Sequence, residues 1–145
     1  TIFFSEYYLK NLNYKVFGYR NIKNLTKINI TEIFKNYDVI CIPSWKIDLL
    51  SDYKLDIFIN IHSFQEMELD QSINYLNKIE KNISRYIYLK NEISGHFKAK
   101  RKNKHGVLNP TSKEDIEKII FDKFKIISSQ THDNNKIYES IYKRF

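Results

Sequence analysis

Glycine, proline and cysteine are scarce in this chain. Among 145 residues there are 3 Gly, 2 Pro and 1 Cys. The lone Cys41 excludes an internal disulfide framework and a cysteine-rich metal cluster, and it favours a reducing, cytoplasmic setting. Gly18, Gly95 and Gly106 stand far apart, so neither common glycine-rich phosphate loop is present. No apolar run approaches the ~18 residues that span a bilayer, and no charged-then-apolar leader opens the chain. The first residue is Thr1 rather than Met, and it falls inside a helical pattern; a piece of a longer protein is expected.

Hydrophobic residues make up 42% and charged residues 28%. That balance suits one globular domain over residues 1–145 with a real core. The net charge is +7, but it is not spread evenly. Residues 94–110 hold Lys98, Lys100, Arg101, Lys102 and Lys104 with no acid, and the remainder carries only +2. The basicity is therefore one loop insertion rather than a face. Such a segment reads either as a solvated connection, since like charges extend a chain, or as a contact for phosphates.

The apolar periodicity alternates. Thr1 to Leu12 carries Phe3, Phe4, Tyr7 and Tyr8 on a broad helical stripe. Tyr14–Tyr19 and Asp38–Ile42 read as short strands, Asn21–Asn29 as a loop, and Thr31 as the cap of a short helix. Leu55–Ile61 is an apolar run that fits a strand covered on both faces. Gln65–Ile83 predicts the best helix, with Leu69, Ile73, Leu76, Ile79 and Ile83 at spacings of four and three. Arg85–Leu89 is again a strand. Pro110, Thr111 and Glu114 announce a helix through a capping box, with Ile116, Ile119, Ile120 and Phe124 as its buried stripe. Lys125–Thr131 and Ile137–Tyr142 form a terminal hairpin around Asp133-Asn134-Asn135, where Asn tolerates positive φ. The order argues an α/β fold, a mostly parallel sheet with an antiparallel hairpin at its end.

Ligands of such sheets bind beyond the carboxyl ends of the strands. Four groups stand there: Ser44 and Trp45; His62, Ser63, Gln65 and Glu66; Asn91 and Glu92 with His96; and His132 with Asp133 at a hairpin tip. His62 is a candidate general base, because an unperturbed imidazole titrates near about 6.5. Glu66 is a second candidate base, although an acid in a first helical turn is also favoured by the helix dipole. Trp45 offers a face for an adenine ring. Asn91 and Glu92 suit sugar hydroxyls. Asn60, inside an apolar strand, needs a partner if buried. No His/Asp/Glu grouping has metal-ligand spacing.

The stretch Leu55-Asp56-Ile57-Phe58-Ile59-Asn60-Ile61-His62-Ser63-Phe64-Gln65-Glu66-Met67 resembles the sugar O-methyltransferase family. Ile73-Asn74-Tyr75-Leu76 and Tyr86-Ile87-Tyr88-Leu89-Lys90-Asn91 extend the resemblance, and Tyr7-Tyr8-Leu9 looks like that family's segment after its second strand. The resemblance implies a Rossmann-like class I fold that uses S-adenosylmethionine, with a seven-stranded sheet whose last strand is antiparallel. Leu55–Ile61 would be the fourth strand and Asp38–Ile42 the third, with Tyr14–Tyr19 extra. It implies His62 and Glu66 as catalytic residues and Ser44, Trp45 and Ser63 as cofactor contacts. Gln65, Asn91, Glu92, Lys98 and Arg101 would then meet a free or carrier-linked sugar, with no metal. The family's N-terminal strands, glycine-rich cofactor loop and ribose-binding acid would all lie upstream of Thr1. The chain therefore reads as the C-terminal portion of such an enzyme, expected to bind the cofactor poorly by itself. Two other readings compete: a small basic nucleic-acid-binding module, whose affinity would fall steeply with salt, and an inactive remnant that pairs with copies of itself through an exposed sheet edge.

Overall fold

The computed structural model describes residues 2–99 and 106–145. Lys100, Arg101, Lys102, Lys104 and His105 of the basic segment lie outside the described residues. The chain divides into two compact units, Thr1–Tyr53 and Lys54–Phe145.

In the first unit, α1 (Ile2–Asn11) leads to β1 (Val16–Phe17), which pairs in parallel with β2 (Val39–Ile40). Two short helices lie between them, α2 (Tyr19–Ile22) and α3 (Ile30–Ile33), and a 3-10 segment, Ser44–Leu50, follows β2. The aromatic stripe of α1 is exposed, and its buried residue is Glu6. The reason is a capping need. The Glu6 carboxylate accepts the Tyr19 N–H at 2.5 Å, supplying the orphan donor at the start of α2. That carboxylate fills the space a Cβ would need at Gly18. Residues 21–29, expected as a loop, begin in α2. Asn29, not Thr31, caps α3, its side chain accepting the Glu32 N–H at 3.1 Å. The Tyr53 hydroxyl donates to the Ile28 carbonyl and accepts from Ile30 N–H, both at 2.8 Å, so the loop before α3 is tied by a side chain.

The second unit holds β3 (Leu55–Ile61), a 3-10 turn at Phe64–Glu66, α4 (Leu69–Ile79), β4 (Ile83–Glu92), α5 (Lys113–Ile120), β5 (Phe124–His132) and β6 (Ile137–Arg144). Its sheet order is β3-β4-β6-β5. β3 and β4 run parallel, joined through α4, while β6 runs antiparallel to both β4 and β5. The α/β alternation and the terminal hairpin are as the sequence predicts. The core joins Leu76 of α4 and Ile116 and Ile120 of α5 to Ile87 and Leu89 of β4 and Tyr138 and Tyr142 of β6. Both helices therefore cover the same sheet face.

Three expectations are corrected here. β3 lies at a sheet edge, and Ile57, Ile59 and Ile61 are 53%, 61% and 52% exposed; an unbroken apolar run did not mean cover on both faces, because Phe58 and Asn60 alone turn toward the helices. The long helix starts at Leu69 rather than Gln65, and Ile83 opens β4 instead of closing the helix. The capping box of α5 is Ser112 with Asp115 rather than Thr111 with Glu114. Thr111 is buried and donates to the Met67 carbonyl at 3.2 Å and lies 2.9 Å from the Ser72 hydroxyl, so its hydroxyl is taken up in joining two helix starts. The β5–β6 turn holds Asp133, Asn134 and Asn135 at φ 50°, 53° and 65°, the left-handed region that Asn and Asp enter most readily.

Candidate functional site

Parallel pairing brings the carboxyl ends of β3 and β4 side by side, with Ile61 opposite Lys90. His62, the first residue past β3, has φ 55°, and its N–H donates to the Lys90 carbonyl at 2.8 Å. The chain turns sharply there into Phe64–Glu66. Gln65 is only 5% exposed. Its Oε1 accepts the Glu92 N–H at 2.7 Å and lies 3.3 Å from His62 Nδ1. Its Nε2 donates to Glu92 Oε1 at 3.3 Å. One carboxamide thus reads both faces of a backbone N–H and carboxylate on the neighbouring strand.

This arrangement selects a tautomer. A carboxamide oxygen only accepts, so His62 Nδ1 must carry the proton in that contact. The lone pair of the neutral ring is then on Nε2, and His62 is exposed. The contact accordingly leaves Nε2 as the acceptor atom of the neutral His62 ring.

His96 sits beside the same group. Its N–H donates to the Gln65 carbonyl at 3.2 Å. Its Nδ1 lies 3.8 Å from carboxylate oxygens of both Glu66 and Glu92. The ring stacks obliquely on Phe97, centroids 4.3 Å apart. Glu92, Ser94, His96 and Phe97 form one wall of a cavity of about 530 Å³; Asp133, Asn135 and Lys136 of the hairpin turn form the other. The Ile93 N–H donates to the Lys136 carbonyl at 2.8 Å and closes the walls together. The cavity is lined by acceptors, an ammonium and an aromatic ring, a set suited to a polar molecule rich in hydroxyl groups.

The first unit has a cleft of its own, about 460 Å³, lined by Phe3, Ser5, Cys41, Pro43, Ser44 and Trp45 among others. Trp45 is 67% exposed and meets Tyr19 edge-on at 6.4 Å. Burial, and then the nearby Glu6 carboxylate, push the Cys41 thiol up. Two aromatic faces and two hydroxyls fit a purine by stacking and edge hydrogen bonds. No glycine-rich turn stands among the described residues to cradle an amino-acid tail.

The structure thus brings His62, Gln65 and Glu92 together, with Glu66 joined through His96. It sets Ser44 beside Trp45. The Ser63 hydroxyl is bonded to the Asn60 side chain. Two expectations do not hold in this geometry. Asn91 is 1% exposed and donates to Asn60 Oδ1 at 3.1 Å, so it lies beneath the turn instead of meeting a substrate. Lys98 is exposed, bridges Val107 through its backbone and does not line the cavity. Arg101 lies outside the described residues. Phe97 and the hairpin residues Asn135 and Lys136 complete the site without having been singled out as its members, whereas His96 was already grouped with Asn91 and Glu92. The only signal for the hairpin was Asp133-Asn134-Asn135 itself. Among the described residues no group of three or more His, Cys, Asp or Glu is placed to hold a metal ion. None of the described helices is long and apolar enough to cross a membrane.

No family model matches the sequence, and no curated protein matches it. Solved structures do match. The PH0226 protein from Pyrococcus horikoshii OT3 superposes with a TM-score of 0.54 at 14% identity, over 87% of this chain and 66% of that one. Magnesium protoporphyrin IX methyltransferase from Synechocystis PCC 6803, solved with bound SAH, gives 0.52 at 13% identity, over 76% of this chain and 52% of that one. The chain therefore spans about half the length of the methyltransferase it matches. At such identities the likeness is one of fold.

Proposed function

We infer the chemistry from a Rossmann-like fold of the kind seen in the methyltransferase this chain resembles. We propose that the chain, both units together as parts of one domain, belongs to an S-adenosylmethionine-dependent O-methyltransferase that acts on a sugar hydroxyl. The observation that carries this reading is an oriented His62 at the carboxyl end of β3, next to the hydroxyl-suited cavity at the end of β4.

The cofactor would supply an electrophilic methyl group on a sulfonium. Trp45, Phe3 and Ser44 are the residues that would hold its adenine, and Ser63 lies at the end of β3 where such cofactors approach. The rest falls to the substrate side. Glu92, Asp133 and Asn135 accept hydrogen bonds from hydroxyls, and Phe97 offers a flat apolar face to a sugar ring. Lys136 suits the phosphate of a carrier-linked sugar. His62 Nε2 would accept the proton of the reacting hydroxyl, and Glu66 offers a second proton acceptor. Holding acceptor oxygen and methyl in line provides much of the rate.

The test is a transfer assay with the whole gene product, labelled cofactor, and free, nucleotide-linked and lipid-linked sugars. Label is expected in the sugar fraction. The double variant His62→Ala with Glu66→Ala is expected to lower turnover by ~10²–10⁴-fold. Undiminished turnover in that variant would remove the base assignment; absence of label from every hydroxylated acceptor, with cofactor bound, would remove the sugar reading.

A further inference from the structure

Beneath the His62 turn lies a chain of buried carboxamides that the proposed chemistry does not use. Asn60, the one buried polar residue of β3, is bonded on three sides. Its Nδ2 donates to the Ser63 hydroxyl. Its Oδ1 accepts from the Phe64 N–H at 3.4 Å and from Asn91 Nδ2 at 3.1 Å. Asn91, on β4, is itself 99% buried, and its Oδ1 has no hydrogen-bond partner. The Tyr138 hydroxyl is likewise buried, on the β6 residue paired with Asn91, whose side chain it faces.

Buried carboxamides are costly unless hydrogen-bonded, and a hydrogen-bonded buried network specifies one geometry around it. An apolar pair would fill the same space between β3 and β4 and leave no orphan oxygen. What these two residues hold is specific. Asn60 reaches forward three and four residues, to Ser63 and Phe64, across the point where His62 takes a left-handed conformation that a residue with a Cβ rarely adopts. The bond from β4 fixes the Asn60 amide so that its oxygen faces Phe64 and its nitrogen faces Ser63. Gln65, next in the chain, then meets the Glu92 N–H and His62 Nδ1 with a single oxygen.

We propose that Asn60 and Asn91 are positioning residues: the buried Asn91–Asn60 pair locks the turn that aims His62 and Gln65. The proposal rests on the methyltransferase reading only for what the aimed imidazole does; the aiming itself is a property of the free protein. Both side chains are buried beneath the turn. Asn60 acts through Ser63 and Phe64, and Asn91 acts through Asn60.

The test uses the full chain without ligand and reads the four histidine rings and the backbone amides by NMR. Asn91→Leu keeps the branching at Cγ but removes the donor to Asn60. It is expected to shift the His62 ring signals, and to speed exchange of the Phe64 amide by about tenfold through local opening. His132, bonded to Glu139 across the hairpin at 2.9 Å, and the amides of Leu76 and Ile116 should stay unchanged. Asn60→Asp is the conservative rescue. Its oxygens still accept from Asn91 and Phe64, and the Ser63 hydroxyl can turn to donate, so the wild-type His62 signals should be retained. Should Asn91→Leu unfold the chain, Ser63→Ala, at an exposed position, removes one contact of the same network and is expected to move His62 in the same direction by less. Unchanged His62 signals in both Asn91→Leu and Ser63→Ala would overturn the proposal, and so would a change spread evenly over the Leu76 and Ile116 amides. Failure of the methyltransferase reading shows up separately, as wild-type protein with an ordered His62 turn and no transfer to any hydroxyl.

Discussion

The two units of this chain hold themselves together in different ways. In Lys54–Phe145, ten buried side chains form one cluster that joins two helices to three strands. In Thr1–Tyr53 the paired strands are two residues long and α2 and α3 four residues each. Helices that short do not persist on propensity. Single polar ties stand in for a continuous core there: Glu6 on Tyr19, Asn29 on Glu32, and Tyr53 on Ile28 and Ile30. The difference separates two jobs. His62 and the polar cavity stand on the unit with the deep core, where a side chain can be aimed. The aromatic cleft stands on the unit held by single polar ties, whose parts are expected to open at lower cost.

Three measurements break or sharpen this contrast. The largest effect is expected at Leu76, fully buried between α4 and the sheet: Leu76→Ala should cost ~2–5 kcal/mol in denaturant unfolding. A loss below ~1 kcal/mol would mean that the cluster does not carry the second unit. A smaller and local effect is expected at Glu6. Glu6→Ala leaves the Tyr19 N–H without its acceptor, at about 1–3 kcal/mol. Hydrogen exchange should quicken in α2 and leave the β4 amides alone. Equal quickening in β4 would abolish the distinction between the units.

The smallest effect concerns acid. Backbone N–H groups of Leu108 and Asn109, at 2.8 and 2.9 Å, hold the Glu68 carboxyl below its ordinary value of 4.5. A carboxylate with a depressed folded value stabilises fully above its unfolded value and loses that contribution as pH falls through the folded one. The tie between the start of α4 and residues 108–109 should therefore hold at neutral pH and weaken below about 4.5. In Glu68→Gln the acid limb of the stability–pH curve should flatten. An unaltered limb would show that acid acts on the second unit elsewhere, for example at Glu139, which His132 holds low in the same manner.

Much of the second unit was legible from its residues. The Leu55–Ile61 strand was read with its observed bounds, and the hairpin around Asp133-Asn134-Asn135 was read with its positive φ. Asn60 was legible as a polar residue in need of a partner. Its partners were not: Ser63 and Phe64 are near in sequence, but Asn91 is 31 residues away. Gln65 and Glu92 are separated by 27 residues and meet only because β3 and β4 are paired in one register. Thr111 was a reasonable cap by spacing. It lost that role to Ser112 because its hydroxyl had a buried partner in Ser72.

Local residue patterns were enough for the alternation of strands and helices, the antiparallel ending and the strand ends at which chemistry should be sought. Those are consequences of apolar period and turn residues, which act over a few neighbours. Folding in three dimensions was needed to bring particular strand ends side by side, to aim His62 and to bury Asn91 against Asn60. Each of these depends on contacts across 27 residues or more, where register and burial, rather than local preference, set the geometry.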